Sequence, residues 1–221
     1  MMFTLNDISF YIFCWNKVVA NSCKLYEEIK QVCPNVTIIN SDETQPLDSA
    51  KYDSIQLDDT YYYGGQLQTA IKATPSGKIL ACLTGDVELG GDWSAILTNA
   101  VKYMNMENIG IVAPKINGSE WQDKIALITD DLWSVDHCDR ICWFIHPQIW
   151  GNLGALEFKQ LSNFGFAIHK VFTLECYAHN MISVCDYSQT LTHPDGSGYN
   201  RDEASQQMNA LLESYNSRPT A

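Results

Sequence analysis

The chain has 221 residues, 46% hydrophobic, 11% aromatic and 18% charged, a composition that suits one large α/β domain and is too short for two full ones. Its 14 Lys and Arg stand against 26 Asp and Glu, and the formal net charge of −12 excludes a broad basic surface for nucleic acid or for an anionic membrane. A phosphorylated ligand would therefore have to find its positive charge locally.

Taken in chain order, residues 8–14 form a continuous apolar run, as a strand buried on both faces does, and Leu25, Ile29 and Val32 follow at helical spacing until Pro34 ends the helix. Residues 36–39 are a second short buried strand, so the first two strands should be parallel neighbours. A third strand is expected over 53–57, a helix over 66–73 and the most apolar strand over 79–83. Ile96, Leu97, Ala100, Val101 and Met104 mark a helix over 94–104, before a strand at 109–112. After Pro114 the pattern loses its regular alternation. Strands are expected at 125–128, 141–145, 182–185 and 188–192, and helices at 147–153, 171–179 and around Met208 to Tyr215.

The eight cysteines are scattered and several sit in apolar runs, which reads as buried free thiols in a reducing compartment. No run approaches the roughly 20 apolar residues of a membrane span, and no basic segment precedes the first strand, so a cytoplasmic location is expected. His137, Cys138, Cys142 and His146 lie close in sequence, but their spacing does not make a paired zinc framework.

Ligands of open α/β sheets bind beyond the carboxyl ends of the strands, which here carry Cys14-Trp15-Asn16-Lys17, Asp42-Glu43, Asp58-Asp59 and Thr84-Gly85-Asp86. With Gly77, the 79–83 strand and Asp92-Trp93 at matching spacings, this constellation resembles the GT-A glycosyltransferases, in particular the family 2 type. The resemblance runs over about residues 8–200 and implies a Rossmann-like open mixed sheet flanked by helices in a single domain. Residues 1–113 would form the nucleotide-sugar half, 114–200 the acceptor half and 201–221 a terminal helix and tail. The implied activity is transfer of a hexose from a nucleotide-diphosphate donor, a UDP-sugar by preference, to a glycan or other hydroxyl acceptor.

Three positions depart from the family pattern. Thr84 stands where the first Asp of an Asp-x-Asp motif is usual, Gln68 where an Arg is common, and His169 where inverting members place their acidic base. The resemblance implies Asp86 and His193 as ligands of Mn²⁺ or Mg²⁺, with Glu88 a neighbour. It implies Cys14, Trp15, Asn16, Asp42, Asp58, Asp59, Gly65, Gln68, Gly85 and Asp86 around the donor. For an inverting transfer the candidate bases are His169, Glu157 and Glu175. Tyr61 to Tyr63 suit a flat ligand, and Trp121, Trp133, Trp143 and Trp150 are candidates for an acceptor platform. The departures leave a catalytically inactive sugar-nucleotide-binding module as one alternative. A sugar nucleotidyltransferase is the other, although the first strand lacks the Gly-rich loop such enzymes use.

Overall fold

The computed structural model describes residues 2–119, 122–194 and 200–218. Trp121, a candidate platform residue above, and residues 195–199, which follow His193 and Pro194, lie outside the described residues.

The first half builds as its periodicity dictates. Strand β1 (Ile8–Cys14) is buried along its whole length and leads through a 3-10 turn at Asn16–Val18 into helix α1 (Val19–Lys30). Strand β2 (Val36–Asn40) and the short β3 (Ser54–Gln56) follow, then α2 (Tyr63–Ala73), β4 (Ile79–Thr84), α3 (Trp93–Met104) and β5 (Ile109–Asn117). The second half holds β6 (Lys124–Thr129), β7 (Leu132–Val135), β8 (Cys142–Ile145), α4 (Pro147–Leu153) and α5 (Phe158–Leu161). Helix α6 (Ile168–Ala178), β9 (Ile182–Thr192) and α7 (Arg201–Asn216) complete it.

These strands form one sheet in the order β3-β2-β1-β4-β8-β5-β9-β7-β6. β3, β2, β1 and β4 are parallel; β8 runs antiparallel between β4 and β5, and β9 is parallel to β5. Alternate residues of β1 serve opposite faces. Phe10, Ile12 and Cys14 pack with Leu25 and Ile29 of α1 and Leu97 of α3, whereas Tyr11 and Phe13 pack with Leu67 of α2, Ile149 of α4 and Phe172 of α6. A sheet apolar on both faces needs helices on both, and each large side chain so buried contributes about 1.5–3 kcal/mol.

Several expectations change. The strands expected at 182–185 and 188–192 are one strand, because the β5 pairing jumps from Asp186 to Thr190 in a bulge. The strand expected over 109–112 runs on to Asn117, and Pro114 sits at that same irregularity, where a missing amide hydrogen is tolerated. β7 was not anticipated; it pairs with β6 across a turn in which Asp130 takes a positive φ of 41°. The described cysteines are free and all but Cys23 are buried, and burial pushes the Cys14 thiol up to about 12. No group of three His, Cys, Asp or Glu that could hold a metal occurs among the described residues, and buried Cys138 bonds the Val184 carbonyl. Among the described residues no helix is long and apolar enough to cross a membrane.

Candidate functional site

The carboxyl ends of β1, β2 and β4 lie side by side, and buried polar side chains tie them together. Gln66, in the first turns of α2, donates from Nε2 to the Cys14 carbonyl at 2.7 Å, the Ile39 carbonyl at 3.2 Å and Ser41 Oγ at 3.1 Å. Cys14 thus lends its carbonyl to the frame while its side chain belongs to the core. Trp15 is half-buried and Asn16 exposed at the mouth of the crevice.

The acidic residues at the β2 end hold loops. Asp42 is buried and accepts from Thr44 N at 2.8 Å, Thr44 Oγ1 at 2.6 Å and Gln45 Nε2 at 2.9 Å, with the Thr44 hydroxyl foremost in holding its carboxyl below the usual range. Asp58 accepts from the Thr60 amide at 2.9 Å, and Asp59 from the Glu43 amide at 2.8 Å. Gly65 is buried against the Tyr61 ring and Asn163, and Lys159 lies 3.3 Å from the centroid of that ring.

At the β4 end the loop is gripped from α1. Asn21 Nδ2 donates to the Gly85 carbonyl at 2.7 Å and the Val87 carbonyl at 2.8 Å, and the Gly85 amide donates to Phe13 O at 2.8 Å. A Cβ on Gly85 would collide with Ser22 and with the Phe13 carbonyl, so only glycine allows this approach. Asn21, which sequence reading passed over, fixes the direction in which Asp86 points.

Asp86 Oδ2 lies 3.1 Å from His193 Nε2, 107 residues away. The long strands β5 and β9 run past the end of β8 and deliver His193 to the β4 loop, where the Glu88 amide donates to the Thr192 carbonyl at 2.9 Å. Glu88 itself is exposed. Asp86 Oδ1 is buried and has no hydrogen-bond partner among the described residues. An orphaned buried carboxylate oxygen beside an imidazole suits a divalent cation. Neighbouring ligands of an octahedral ion with bonds of about 2.1 Å lie about 3 Å apart, close to the spacing found here.

His193 also borders a cavity of about 630 Å³, lined further by Asn117, His137, Arg140, Phe166 and His169. Arg140 arrives there because β8 is antiparallel: Cys142 pairs with Leu83 and the Thr84 amide donates to Ile141 O at 2.9 Å, so the residues preceding β8 border the carboxyl end of β4. Its guanidinium lies 5.1 Å from the Tyr63 ring centroid and 5.8 Å from that of Phe166, while the Tyr63 hydroxyl donates to its carbonyl at 2.8 Å. Gly165, at φ 87°, leaves room for it; a Cβ there would come within 3.1 Å of Arg140 Nε. With Lys170, Arg140 brings to this edge the positive charge that the composition lacks. The only sequence signal for it was an Arg just before an apolar strand.

The three candidate bases separate. His169, in the first turn of α6, lines the cavity, and burial together with Arg140, His137 and Lys170 lowers its pKa to about 3. It is therefore neutral near pH 7 and binds a proton weakly. Glu157 instead bonds the side-chain amide of Gln68, whose oxygen accepts from Lys159 N at 3.0 Å. Both are engaged on the α2–α5 contact, away from the strand ends. Glu175 is buried further along α6 between Arg218 at 2.5 Å and His179 at 3.1 Å. Among the proposed platform residues, Trp143 is core against Phe172 and Trp150 donates to the Lys78 carbonyl at 2.9 Å, so neither faces an acceptor; Trp133 is half-buried on β7.

No protein-family model and no curated protein matches the sequence. Solved structures do match. GalNAc-T7, solved with UDP, GalNAc and Mn²⁺, aligns with a TM-score of 0.67 at 9% identity over 94% of this chain and 50% of its own. The fold is of the GT-A type. CMP:2-keto-3-deoxy-manno-octonic acid synthetase with CTP aligns at TM-score 0.53 and 12% identity, over 94% of this chain and 98% of its own. A glucose-1-phosphate thymidylyltransferase of Bacillus anthracis with sucrose gives 0.51 and 9%, over 96% and 97%. The chain thus spans half the length of the GalNAc-T7 chain and nearly all of the two nucleotidyltransferases. The likeness is one of fold, shared by nucleotide-sugar transferases and sugar nucleotidyltransferases, and does not single out the family 2 type.

Proposed function

We propose that the protein is a metal-dependent glycosyltransferase that takes a sugar from a nucleotide-diphosphate donor, a UDP-sugar by preference, to a glycan or other hydroxyl acceptor. The observation that carries this reading is the Asp86–His193 pair at the carboxyl edge of β4, with one Asp86 oxygen buried and unpartnered among the described residues. In this reading Asp86 and His193 hold Mn²⁺ or Mg²⁺, whose chemistry is to neutralise charge on the leaving diphosphate as a Lewis acid.

The nucleoside lies over Trp15, Asn16 and the β1 and β2 ends framed by Gln66. The cavity beyond Asp86 takes the sugar and the acceptor, in keeping with an acceptor role for the second half of the chain. Arg140 faces that cavity and adds preorganised positive charge where the diphosphate leaves. His169, held neutral, offers a ring nitrogen to the acceptor hydroxyl; as a proton acceptor it is weak, because the best general bases titrate near the working pH. The inverting course therefore rests on a ligand that restores the basicity of His169 or on another base.

The nucleotidyltransferase reading draws support from the near-complete coverage of two such enzymes. Against it, the segment after β1 is Trp15 followed by a 3-10 turn, in place of a glycine-rich loop. Incubation with UDP-, GDP-, CMP- and dTDP-sugars and Mn²⁺, with free nucleotide as readout, tests the proposal. Nucleotide release that requires metal and disappears in Asp86→Ala supports it. Pyrophosphate released from a nucleoside triphosphate and a sugar phosphate would establish the nucleotidyltransferase instead, and binding without turnover the inactive module.

A further inference from the structure

Asp86, His193, Arg140 and His169 have roles in glycosyl transfer, whereas two basic residues of the cavity, Lys170 and His137, have none. That cavity of about 630 Å³ has a charge balance opposite to the chain's. Among the described residues Arg140 and Lys170 line it against one carboxylate, Asp139, in a protein with 26 Asp and Glu to 14 Lys and Arg. The Asp139 carboxylate is turned to the backbone, accepting from the Ile141 amide at 3.2 Å. Asp136, the neighbouring acid, is exposed and meets His137 Nε2 at 3.2 Å. The other ring nitrogen, His137 Nδ1, is buried and has no hydrogen-bond partner among the described residues. Its ring meets that of His169 edge-on, with the centroids 5.2 Å apart.

Helix α6 opens on the same cavity after Ala167, whose methyl cannot cap the first amides. Its first turn carries His169 and Lys170 and no acid, although the helix dipole favours acids there and disfavours cations. Cations gathered around a cavity against the local preference suit a negatively charged ligand group. Burial, then Arg140, His137 and Lys170, hold the His169 pKa down at about 3, so that ring senses the same positive field.

Within the glycosyltransferase reading, on which this rests, we propose that the acceptor is anionic, a sugar bearing a carboxylate or a phosphate ester, whose charge is held by Lys170, His137 and Arg140. The donor diphosphate stays at the Asp86–His193 edge. Lys170 supplies an ammonium, protonated His137 donates from Nδ1, and the Arg140 guanidinium is a fork of N–H donors with enough to face both the acceptor's anion and the departing diphosphate. The cavity volume accommodates a sugar unit carrying such a group. An anion among these cations also offsets their effect on His169, so an acidic acceptor raises the basicity of the ring offered to its hydroxyl, and a neutral one does not.

Calorimetric titration of the full chain with glucuronate, glucose 6-phosphate and glucose, each with and without saturating UDP and Mg²⁺, tests this, with the His169 imidazole followed by NMR. The expected result is that one or both acidic sugars bind about tenfold or more tighter than glucose, keep that affinity with UDP bound, and move the His169 titration upward. The sugar that binds tells carboxylate from phosphate. Lys170→Glu, at an exposed position, should weaken the acidic sugars about tenfold or more and leave glucose unchanged, and His137→Gln should weaken them about threefold. Equal affinity for all three sugars, or undiminished affinity in folded Lys170→Glu, overturns the proposal. Displacement of the acidic sugar by UDP also overturns it, assigning these charges to the donor and leaving the glycosyltransferase reading in place. Failure of that reading shows separately, as UDP that does not bind with Mg²⁺; it removes the acceptor role, while the titration without UDP still decides whether the cavity selects an anion.

Discussion

Replacing Asp86 by alanine separates a metal ligand from an ordinary turn residue, because the two roles predict opposite stability changes. In metal-free protein one carboxylate oxygen meets His193 at 3.1 Å and the other is buried without a partner among the described residues. An unsatisfied buried polar atom costs about 1–3 kcal/mol, and a partly exposed ion pair returns about 0–1 kcal/mol. Asp86→Ala should therefore leave the metal-free protein as stable as the wild type, or more stable by up to about 2 kcal/mol. With Mn²⁺ and UDP at about 100 times their dissociation constant, the wild type gains about 2.7 kcal/mol, roughly 5 to 10 °C of melting temperature for a chain of this size. The variant should gain almost none. Scanning calorimetry in EDTA and then in Mn²⁺ with UDP measures both. A loss of more than about 1 kcal/mol in EDTA would make Asp86 a structural residue, and a metal-dependent shift that survives the substitution would remove it as a ligand.

Gln66→Ala removes three buried hydrogen bonds that join β1, β2 and α2, and should cost about 2–4 kcal/mol in urea unfolding while weakening UDP binding; a cost below about 0.5 kcal/mol would refute its role as the tie. Glu175→Gln leaves Arg218 without its carboxylate partner and should lower stability by about 1–3 kcal/mol with nucleotide release unchanged, whereas a tenfold fall in kcat would return Glu175 to the chemistry. His169 titrates near 3 in the folded chain against about 6.5 unfolded, so between those values the unfolded state binds more protons and stability falls as pH drops. By pH 5 this loss is about 2 kcal/mol, and His169→Gln should flatten that part of the stability profile; an unchanged slope would contradict the burial of His169 as a neutral ring.

Much of the first half was legible because a strand buried on both faces needs an unbroken apolar run. The 8–14, 36–39 and 79–83 segments have one, and the helices between them show one apolar stripe. β7 was missed because Leu132–Val135 is short and follows charged Asp130-Asp131. β9 was divided at Asp186-Tyr187, where the pairing with β5 is interrupted by the bulge opposite Pro114 and Lys115. At the site, only the resemblance joined Asp86 and His193, as ligands of one metal, and nothing local in either segment encodes their contact. Asp42, Asp58 and Asp59 were read as ligand-facing because they end strands, yet the hydrogen bonds found on them run to neighbouring loop amides and side chains. Gln68 and Glu157 were weighed for different tasks and turn out to bond each other.

The sequence alone determined the composition of the layers: apolar runs bounded by Pro and Gly, alternating with amphipathic helices, dictate a parallel sheet covered on both faces. The tertiary structure decided which strand ends meet. Inserting β8 antiparallel between β4 and β5 places Arg140 just before the Ile141–Thr84 contact, on the cavity lining, and extending β5 and β9 beyond that edge brings His193 onto Asp86. Strand direction and order are set by packing between segments far apart in the chain, so the geometry of a contact across 107 residues, which the resemblance only implied, is fixed once the sheet has closed. In the same way a net charge of −12 describes the whole surface, while the local charge of the cavity that His193 borders is fixed by where Arg140 and Lys170 come to rest.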